Sequence, residues 1–284
     1  MGTIRDASDF ISKSTSGDNG NPELLFFHKM ARTEAGTFTP TTVQGANVSY
    51  WRAIGSPEAG PTPTTGAVLY SSSIGAIKFA SATPGFERNI TNISFIHQTN
   101  GTVLLYDRLY HIGGLDATLT TEQTVQGSNP TPAITRNTGG EGNFMMVEIY
   151  TTIGATAAQL SAEYINQNGA ISSSVLRHFG GPTFYNGANF CHIIPFSGTD
   201  SGVRAVTKVR LSNSTTTQGN FGITIGKPIA YITCPFGGLA SWRDFVTGLP
   251  TIPKLDNNSC LALISNAGTA TSSHIWGFMH TVQA

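Results

Sequence analysis

The chain has 284 residues with 16 basic and 16 acidic side chains, so its formal net charge at pH 7 is zero. Charged residues make up 11% of the chain, whereas an ordinary soluble domain has roughly 25%. This composition excludes a basic nucleic-acid groove and a highly charged disordered chain, and no run approaches the roughly 20 apolar residues of a membrane span. A nearly neutral surface permits self-association and favours an assembly subunit, although Thr, Ser and Asn side chains would also hydrate such a surface.

Two short helices are predicted at the start of the chain. The first covers residues 6–13. In the second, Asn21 is a suitable cap, Pro22 fits the first helical position and Glu23 complements the helix dipole. We therefore expect this second helix to continue to about Arg32.

A Pro-rich stretch at residues 55–66 predicts an exposed and largely extended loop. It divides the chain into an N-terminal appendage, residues 1–66, and a β-sandwich region, residues 67–284. The second region could form two packed sub-domains, and its central sandwich is predicted at about residues 143–232.

From residue 67 onward, short runs rich in β-branched and aromatic residues are separated by Gly, Asn, Ser and Pro. Asn-Gly pairs at residues 100–101 and 168–169 are typical hairpin turns, because both residue types tolerate positive φ. They predict hairpins of 90–97 with 102–106 and of 159–165 with 171–176. The other predicted strands are 67–70, 76–80, 119–125, 144–151, 191–196, 205–212, 221–225, 229–233, 261–264 and 275–282.

A third short helix is predicted at residues 240–247, with Ser241 as its cap and Trp242 and Phe245 on its buried side. No other helix interrupts the strands. The pattern therefore predicts a mainly β fold, an antiparallel β-sandwich or jelly-roll-like structure with short N-terminal helices and long loops.

Chemistry-bearing motifs are scarce in this sequence. The cysteines, Cys191, Cys234 and Cys260, lie in or beside apolar runs and are expected to be buried free thiols. The seven histidines show no zinc-binding spacing, and no nucleophile or phosphate-binding motif occurs. We therefore predict no catalytic, cofactor-binding or metal-binding residue and expect a non-enzymatic protein without a cofactor.

Residues 107–111, Asp-Arg-Leu-Tyr-His, allow two interpretations. They sketch an acid–base cluster, or else Asp107 and Arg108 form a strand-end ion pair while Leu109 and Ile112 enter the core. Trp51 and Trp276 are candidates for exposed aromatic rings that stack on a sugar, although such aromatics often serve as core or interface anchors.

Several runs in the chain resemble a known family. They are LLYDRLYHIGGL (104–115), VEIYTTIGAT (147–156), DSGVRAV (200–206), GNFGITI (219–225), CLAL (260–263) and GFM (277–279). Together they resemble structural virion proteins of tailed bacteriophages, over about residue 101 to the C-terminus. The resemblance carries no catalytic motif, so no functional residues transfer from it.

The resemblance implies a virion protein that is made in the host cytoplasm and assembles with copies of itself, a trimer being plausible. Within that class we expect a capsid decoration, or cement, protein that binds and stabilises the shell of the major capsid protein. The alternatives are a tail tube or other tail protein and a receptor- or glycan-binding spike. Six N-terminal side chains are candidate docking residues, with ordinary core packing as the alternative: Phe10, Ile11, Leu24, Leu25, Phe26 and Phe27.

Overall fold

The computed structural model describes residues 4, 7–15, 19–30, 45–181, 186–247, 252–267 and 274–284. The first elements in chain order are α1 (Ala7–Ser14), β1 (Glu23–Met30), β2 (Asn47–Ser49), β3 (Ile54–Ser56), β4 (Ala67–Val68), β5 (Arg88–His97), β6 (Gly101–Leu115), β7 (Gln123–Thr124), β8 (Phe144–Thr151) and β9 (Ala158–Asn166). The remaining strands are β10 (Ile171–Ser173), β11 (Arg177–Phe179), β12 (Phe190–Ile193), β13 (Val203–Leu211), β14 (Asn220–Cys234), β15 (Ala240–Asp244), β16 (Lys254–Leu255), β17 (Leu261–Ala267) and β18 (His274–Gln283). The prediction of a mainly β, antiparallel fold is confirmed.

Six strands close into a barrel in the order β14-β8-β12-β2-β17-β6, because β6 also pairs with β14. All pairs in this ring are antiparallel, and β4 pairs with β6 beyond the end of β17. The predicted strands at 221–225 and 229–233 are a single strand, β14. Pro228 has no N–H to donate, but it lies at a register irregularity that the long strand accommodates.

The terminal sheet, as we call it, has the strand order β15-β5-β18-β1-β3, and β16 also pairs with β5. A smaller sheet has the order β10-β9-β13-β7, with β11 also paired to β9. The main core lies between these two sheets and the outside of the barrel. It includes Phe27 and Ile93 of the terminal sheet, Val206 of the smaller sheet, and Val147 and Ile223 of the barrel.

The second predicted helix is wrong, because residues 23–30 form the strand β1. Asn21 has a φ of 43°, whereas a helix cap has extended backbone. Pairing with β18 and β3 supplies the backbone hydrogen bonds that a helix would have made internally. Residues 31–32, the expected helix end, lie outside the described residues. The side chains of β1 alternate in direction. Leu25, Phe27 and Lys29 point inward, and Leu24, Phe26 and His28 point outward.

The third predicted helix is also wrong, because Ala240–Asp244 is the edge strand β15. Phe245 is buried as expected, but Trp242 is 71% exposed. The first predicted helix corresponds to α1. The division of the chain at residue 66 remains a prediction, although β1 and β2 pair with strands of the region that follows it.

Of the two predicted hairpins, the one at 159–165 and 171–176 is present as β9 and β10, with Gly169 at a φ of 81°. The other is wrong, because β5 belongs to the terminal sheet and β6 to the barrel. At Gly101 the chain passes from one sheet to the other. A Cβ there would lie 2.1 Å from the carbonyl oxygen of Asn266, so this glycine allows a close approach of β17 in place of a hairpin turn.

Several other predicted strands are shorter than expected. Residues 76–80 contribute only an isolated bridge between Ile77 and Leu261, and from 119–125 only Gln123–Thr124 is a strand. In contrast, the prediction at 144–151 coincides with β8.

Candidate functional site

The interior of the barrel is lined by alternate residues of its strands. The strand registers place Tyr106, Met146, Cys191 and Ala262 on this interior side, and these residues form one buried cluster. On β14 the same side carries Gly222, Thr224 and Gly226. Because these β14 residues are small, long side chains from β6 and β8 extend across the ring.

Arg108 on β6 and Glu148 on β8 meet inside the barrel, with 2.5 Å between Nη2 and Oε2. Their side chains are 0% and 2% exposed. Glu148 also accepts hydrogen bonds from Tyr150 at 2.9 Å and from Thr224. Arg108 donates to the hydroxyl of Tyr106 at 3.0 Å. This buried ion pair is therefore surrounded by partners that satisfy its charged atoms.

The Arg108 guanidinium has two further aromatic neighbours. The ring of Trp51 lies over it, with 4.7 Å between Cζ and the ring centroid. The Nε atom donates to Nδ1 of His111 at 3.2 Å, which requires that this nitrogen be unprotonated.

Burial and charge fix the ionisation of this group. Burial alone would raise the pKa of Glu148, but the Arg108 charge and the hydrogen bonds to the carboxylate lower that pKa to about 2. Burial, together with the Arg108 charge, lowers the pKa of His111 to about 3. At neutral pH the barrel interior therefore holds a charged pair beside a neutral imidazole. Because these groups are buried, we interpret them as a structural element of the barrel.

Asp107 and Arg108 are not paired with each other, so the predicted ion pair is wrong. Adjacent residues of a strand point to opposite sides, and Asp107 instead binds Arg136 through two hydrogen bonds of 2.8 and 2.9 Å. It also accepts from the backbone N–H of Cys260 at 2.8 Å. The expectation for Leu109 holds, because this residue is 1% exposed in the core.

Trp51 is not an exposed aromatic residue, because only 1% of it is accessible. Its indole N–H donates to the carbonyl of Pro61 at 3.2 Å, and a Cβ at Gly60 would lie 2.3 Å from its ring. Part of the Pro-rich loop thus packs over Trp51 instead of extending into solvent. Trp276 is half-buried and stacks on His28, with ring centroids 5.0 Å apart and planes 6° apart.

The candidate docking residues of the N-terminal segment divide into two groups. Phe27 is fully buried in the main core, Leu25 packs against that core, and Phe10 contacts the ring of His280 edge-on at 6.2 Å. A docking role for the other three remains a prediction, and they are the exposed members: Ile11 at 62%, Leu24 at 71% and Phe26 at 58%.

Leu24 and Phe26 belong to a larger surface, the outer face of the terminal sheet. Strand register places four residues in one row across it, in the order Trp242, Ser94, Phe278 and Phe26. Trp242 is 71% exposed and Phe278 is 43% exposed. The sequence did not predict an exposed position for either residue, and it placed Trp242 on the buried side of a helix. Phe278 is detectable from its alternation with Met279 and Gly277, whereas Trp242 is concealed by the helix-like pattern around it.

A second exposed apolar surface lies where the smaller sheet meets β12. The N–H of Val175 donates to the carbonyl of Pro195 at 3.2 Å, which brings the chain after β10 beside the chain after β12. The small-sheet patch, as we call it, consists of four residues that are 39–62% exposed: Ile171, Val175, Leu176 and Ile193.

The three cysteines are buried and unbridged, as the sequence predicted. Among the described residues, no group of three or more His, Cys, Asp or Glu side chains is placed to hold a metal ion. None of the helices in that part of the chain has the length and apolar character to cross a membrane.

No protein-family model matches the chain, and no curated protein matches it. Solved structures with weak similarity include the VP2 subviral particle of infectious bursal disease virus, with 10% identity, coverage of 93% of this chain and 81% of that chain, and a TM-score of 0.18. T=1 particles derived from infectious bursal virus give 8% identity, coverage of 92% and 77%, and a TM-score of 0.18. At these values the similarity establishes neither a family nor a function, and the resemblance to tailed-phage proteins remains a prediction.

Proposed function

We propose that the chain is a non-enzymatic structural protein of a virion, and within that class a decoration protein that binds the shell of the major capsid protein of a tailed bacteriophage. The observation that carries the proposal is the presence of two separate exposed apolar surfaces, the outer face of the terminal sheet and the small-sheet patch. Large apolar side chains that are exposed on one part of a soluble chain are typical of an interaction site. A subunit that joins neighbours within an assembly needs at least two such sites.

The distribution of charge supports a binding role over a catalytic one. The strongly perturbed acid and base of the barrel, Glu148 and His111, are 2% and 5% exposed, so a substrate does not reach them. The resemblance of residues 101–284 to structural virion proteins directs the proposal to a virus particle. A protein that covers the seams between shell subunits adds interface that internal pressure must break, and many symmetry copies multiply the effect.

The position and copy number of the protein on virus particles test this proposal. We expect quantitative mass spectrometry and antibody labelling of purified virions to show hundreds of copies on the capsid surface. Hundreds of copies stacked in sixfold rings along the tail would favour a tail tube protein, and a few copies at the tail tip would favour a spike. Absence from particles would overturn the virion role.

Point variants connect the observation to the function. A deletion of the N-terminal segment would remove β1 from the terminal sheet, so substitution is the sharper test. We expect the pair Ile171→Glu and Leu176→Glu to prevent incorporation into particles while the protein stays folded. Leu119→Glu, which places the same charge at a leucine that is 44% exposed elsewhere, is the matched control. Full incorporation of the double variant would exclude the small-sheet patch as a docking site.

A further inference from the structure

We infer that the outer face of the terminal sheet packs against the same face of a second copy of this chain, forming a twofold symmetric dimer. The expectation that this face is covered rests on the proposed assembly role. The inference adds that the partner that covers it is a second copy of the chain.

The part of the face around the aromatic row suits contact with a flat partner, whereas α1 covers the end of the face where Phe10 contacts His280. The row of Trp242, Ser94, Phe278 and Phe26 crosses four adjacent strands. It therefore spans three strand spacings, roughly 14 Å. The rings of Phe26 and Phe278 are neighbours, with centroids 6.0 Å apart. Two sheets that pack face to face interdigitate side chains of this kind at a separation of about 10 Å.

Ser94 interrupts the row of rings with a small side chain between Trp242 and Phe278. Its hydroxyl already donates to the carbonyl of Ser241 at 3.2 Å. Burial of this hydroxyl therefore leaves no donor unsatisfied. The gap between the flanking rings leaves room for an aromatic ring of the partner copy, which gives the surface both a projection and a recess.

Charge on this face favours a second copy over a charged partner. In β1, β5, β15 and β18 the outward side chains include no Lys or Arg and one carboxylate, that of Asp244. The exposed Lys254 of β16 is paired with Glu87 and lies opposite Asn89, away from the aromatic row. A twofold interface brings equivalent residues of the two copies close to each other, and like charges placed together there cost several kcal/mol. Asp244 lies outside the aromatic row, where it accepts hydrogen bonds from Val246 N and Thr247 Oγ1.

The exposed aromatic area supplies a little under half of one partner's share of a dimer interface. A Phe or Trp side chain contributes about 150–250 Å², so the exposed fractions of Phe26, Trp242 and Phe278 amount to roughly 350 Å² of aromatic surface. A standard interface needs about 800 Å² per partner. Leu24, the half-buried Trp276 and the polar residues of the same strands supply further surface around the row.

Sedimentation equilibrium of the full chain tests the inference. We expect the wild-type protein to dimerise and the single variants Phe26→Glu and Trp242→Glu to weaken the dimer by roughly 30-fold or more, the effect of losing an interface hot spot. Ile171→Glu adds the same charge to an equally exposed residue of the small-sheet patch, so it should leave the dimer unchanged. Circular dichroism establishes that each variant is folded.

A cysteine probe provides a second measurement if the glutamate variants do not fold. The native cysteines are buried, so Ser94→Cys introduces a thiol on the outer face that reacts with maleimide. Its reaction should slow at least tenfold between dilute and concentrated protein, whereas a cysteine at Ile171 should react equally at both concentrations.

The outcomes separate this inference from the proposed function. A wild-type chain that stays monomeric at the highest concentration at which it remains in solution would overturn the inference. A dimer that only Ile171→Glu disrupts would also overturn it. If the monomeric chain still enters virus particles, the virion role stands without the dimer. If the chain forms the dimer but never enters virus particles, the dimer inference stands and the virion role is overturned.

Discussion

The barrel interior and the outer face of the terminal sheet distribute polarity in opposite ways. Inside the barrel, a charged pair, Arg108 and Glu148, is fully enclosed and hydrogen-bonded. On the outer face, aromatic side chains such as Trp242 and Phe26 are more than half exposed. In an ordinary soluble domain the charges lie on the surface and the large apolar side chains lie inside.

The chain has few charged residues, and several of them are buried. Its surface is therefore less charged than its composition alone would suggest. Among the described residues, seven other charged side chains are buried besides Glu148: Asp9, Lys13, Lys29, Arg88, Asp107, Arg108 and Arg136. Some of them anchor loops, since Lys29 donates from Nζ to the carbonyls of Ala53 and Glu58. The chain therefore uses several of its scarce charges to hold strands and loops together, and its surface carries correspondingly fewer charges.

Removal of one partner of the barrel ion pair is the strongest test of this contrast. We expect Glu148→Ala to lower the free energy of unfolding by about 4 kcal/mol, because it leaves the Arg108 charge buried without a counter-charge. Chemical denaturation measures the change. Glu122→Ala, which removes an exposed carboxylate that pairs with Lys208, should have no measurable effect. Equal effects of the two variants would contradict the enclosed geometry.

Added volume inside the barrel should have the next largest effect. A Cβ at Gly222 would lie 1.8 Å from the carbonyl oxygen of Ile112 and 2.8 Å from the ring of Tyr150. We expect Gly222→Ala to destabilise the protein by about 3 kcal/mol, because backbone atoms must move. Gly139→Ala is the control, since a Cβ there meets no atom within 4 Å. Thermal unfolding of both variants checks the prediction.

The neutral His111 makes stability depend on pH. The pKa of His111 is about 3 in the folded protein and about 6.5 in an unfolded chain. Between these values the unfolded state binds one more proton, so stability is present above pH 6.5 and falls as the pH decreases. The expected slope is about 1.4 kcal/mol per pH unit.

The variant His111→Gln isolates this contribution. Glutamine retains an acceptor for Arg108 but does not titrate, so its unfolding free energy should change less steeply between pH 6.5 and 5. Denaturation curves at several pH values measure the two slopes. Identical slopes would show that other groups, such as the buried His97, whose pKa is lowered by burial, account for the whole dependence.

A substitution on the outer face should have the smallest effect on stability. We expect Trp242→Ser to change the unfolding free energy by no more than about 0.5 kcal/mol, because the side chain is mostly exposed. The measurement requires dilute protein, at which the chain is monomeric. A loss above 2 kcal/mol would mean that Trp242 packs against its own chain, and the contrast with the barrel would fail.

Local patterns in the sequence predicted part of this structure well. The run that forms β8 and the Asn-Gly turn between β9 and β10 depend on neighbouring residues, and both were predicted at nearly the observed positions. Neither β1 nor β15 was predicted as a strand. Short apolar segments of this kind fit either a helix or a strand, and the choice depends on whether a partner strand is available.

Local sequence patterns also fail to predict the candidate surfaces. Phe26 was identified in advance, but as part of a helix, and its neighbours in the row come from β15, β5 and β18. Trp51 was expected to be exposed and is covered by the Pro-rich loop. Such contacts join residues that are far apart in sequence, and no local pattern encodes them.

The sequence by itself determined the low charge, the mainly β structure, the buried thiols and the lack of recognisable catalytic motifs, because composition and short-range periodicity carry that information. Only the tertiary structure decided that β6 pairs with β14 to close a barrel, and that Arg108 meets Glu148 inside it. It also decided which aromatic rings remain on the surface. Closure and burial are properties of how strands pair across the whole chain, so they follow from long-range contacts.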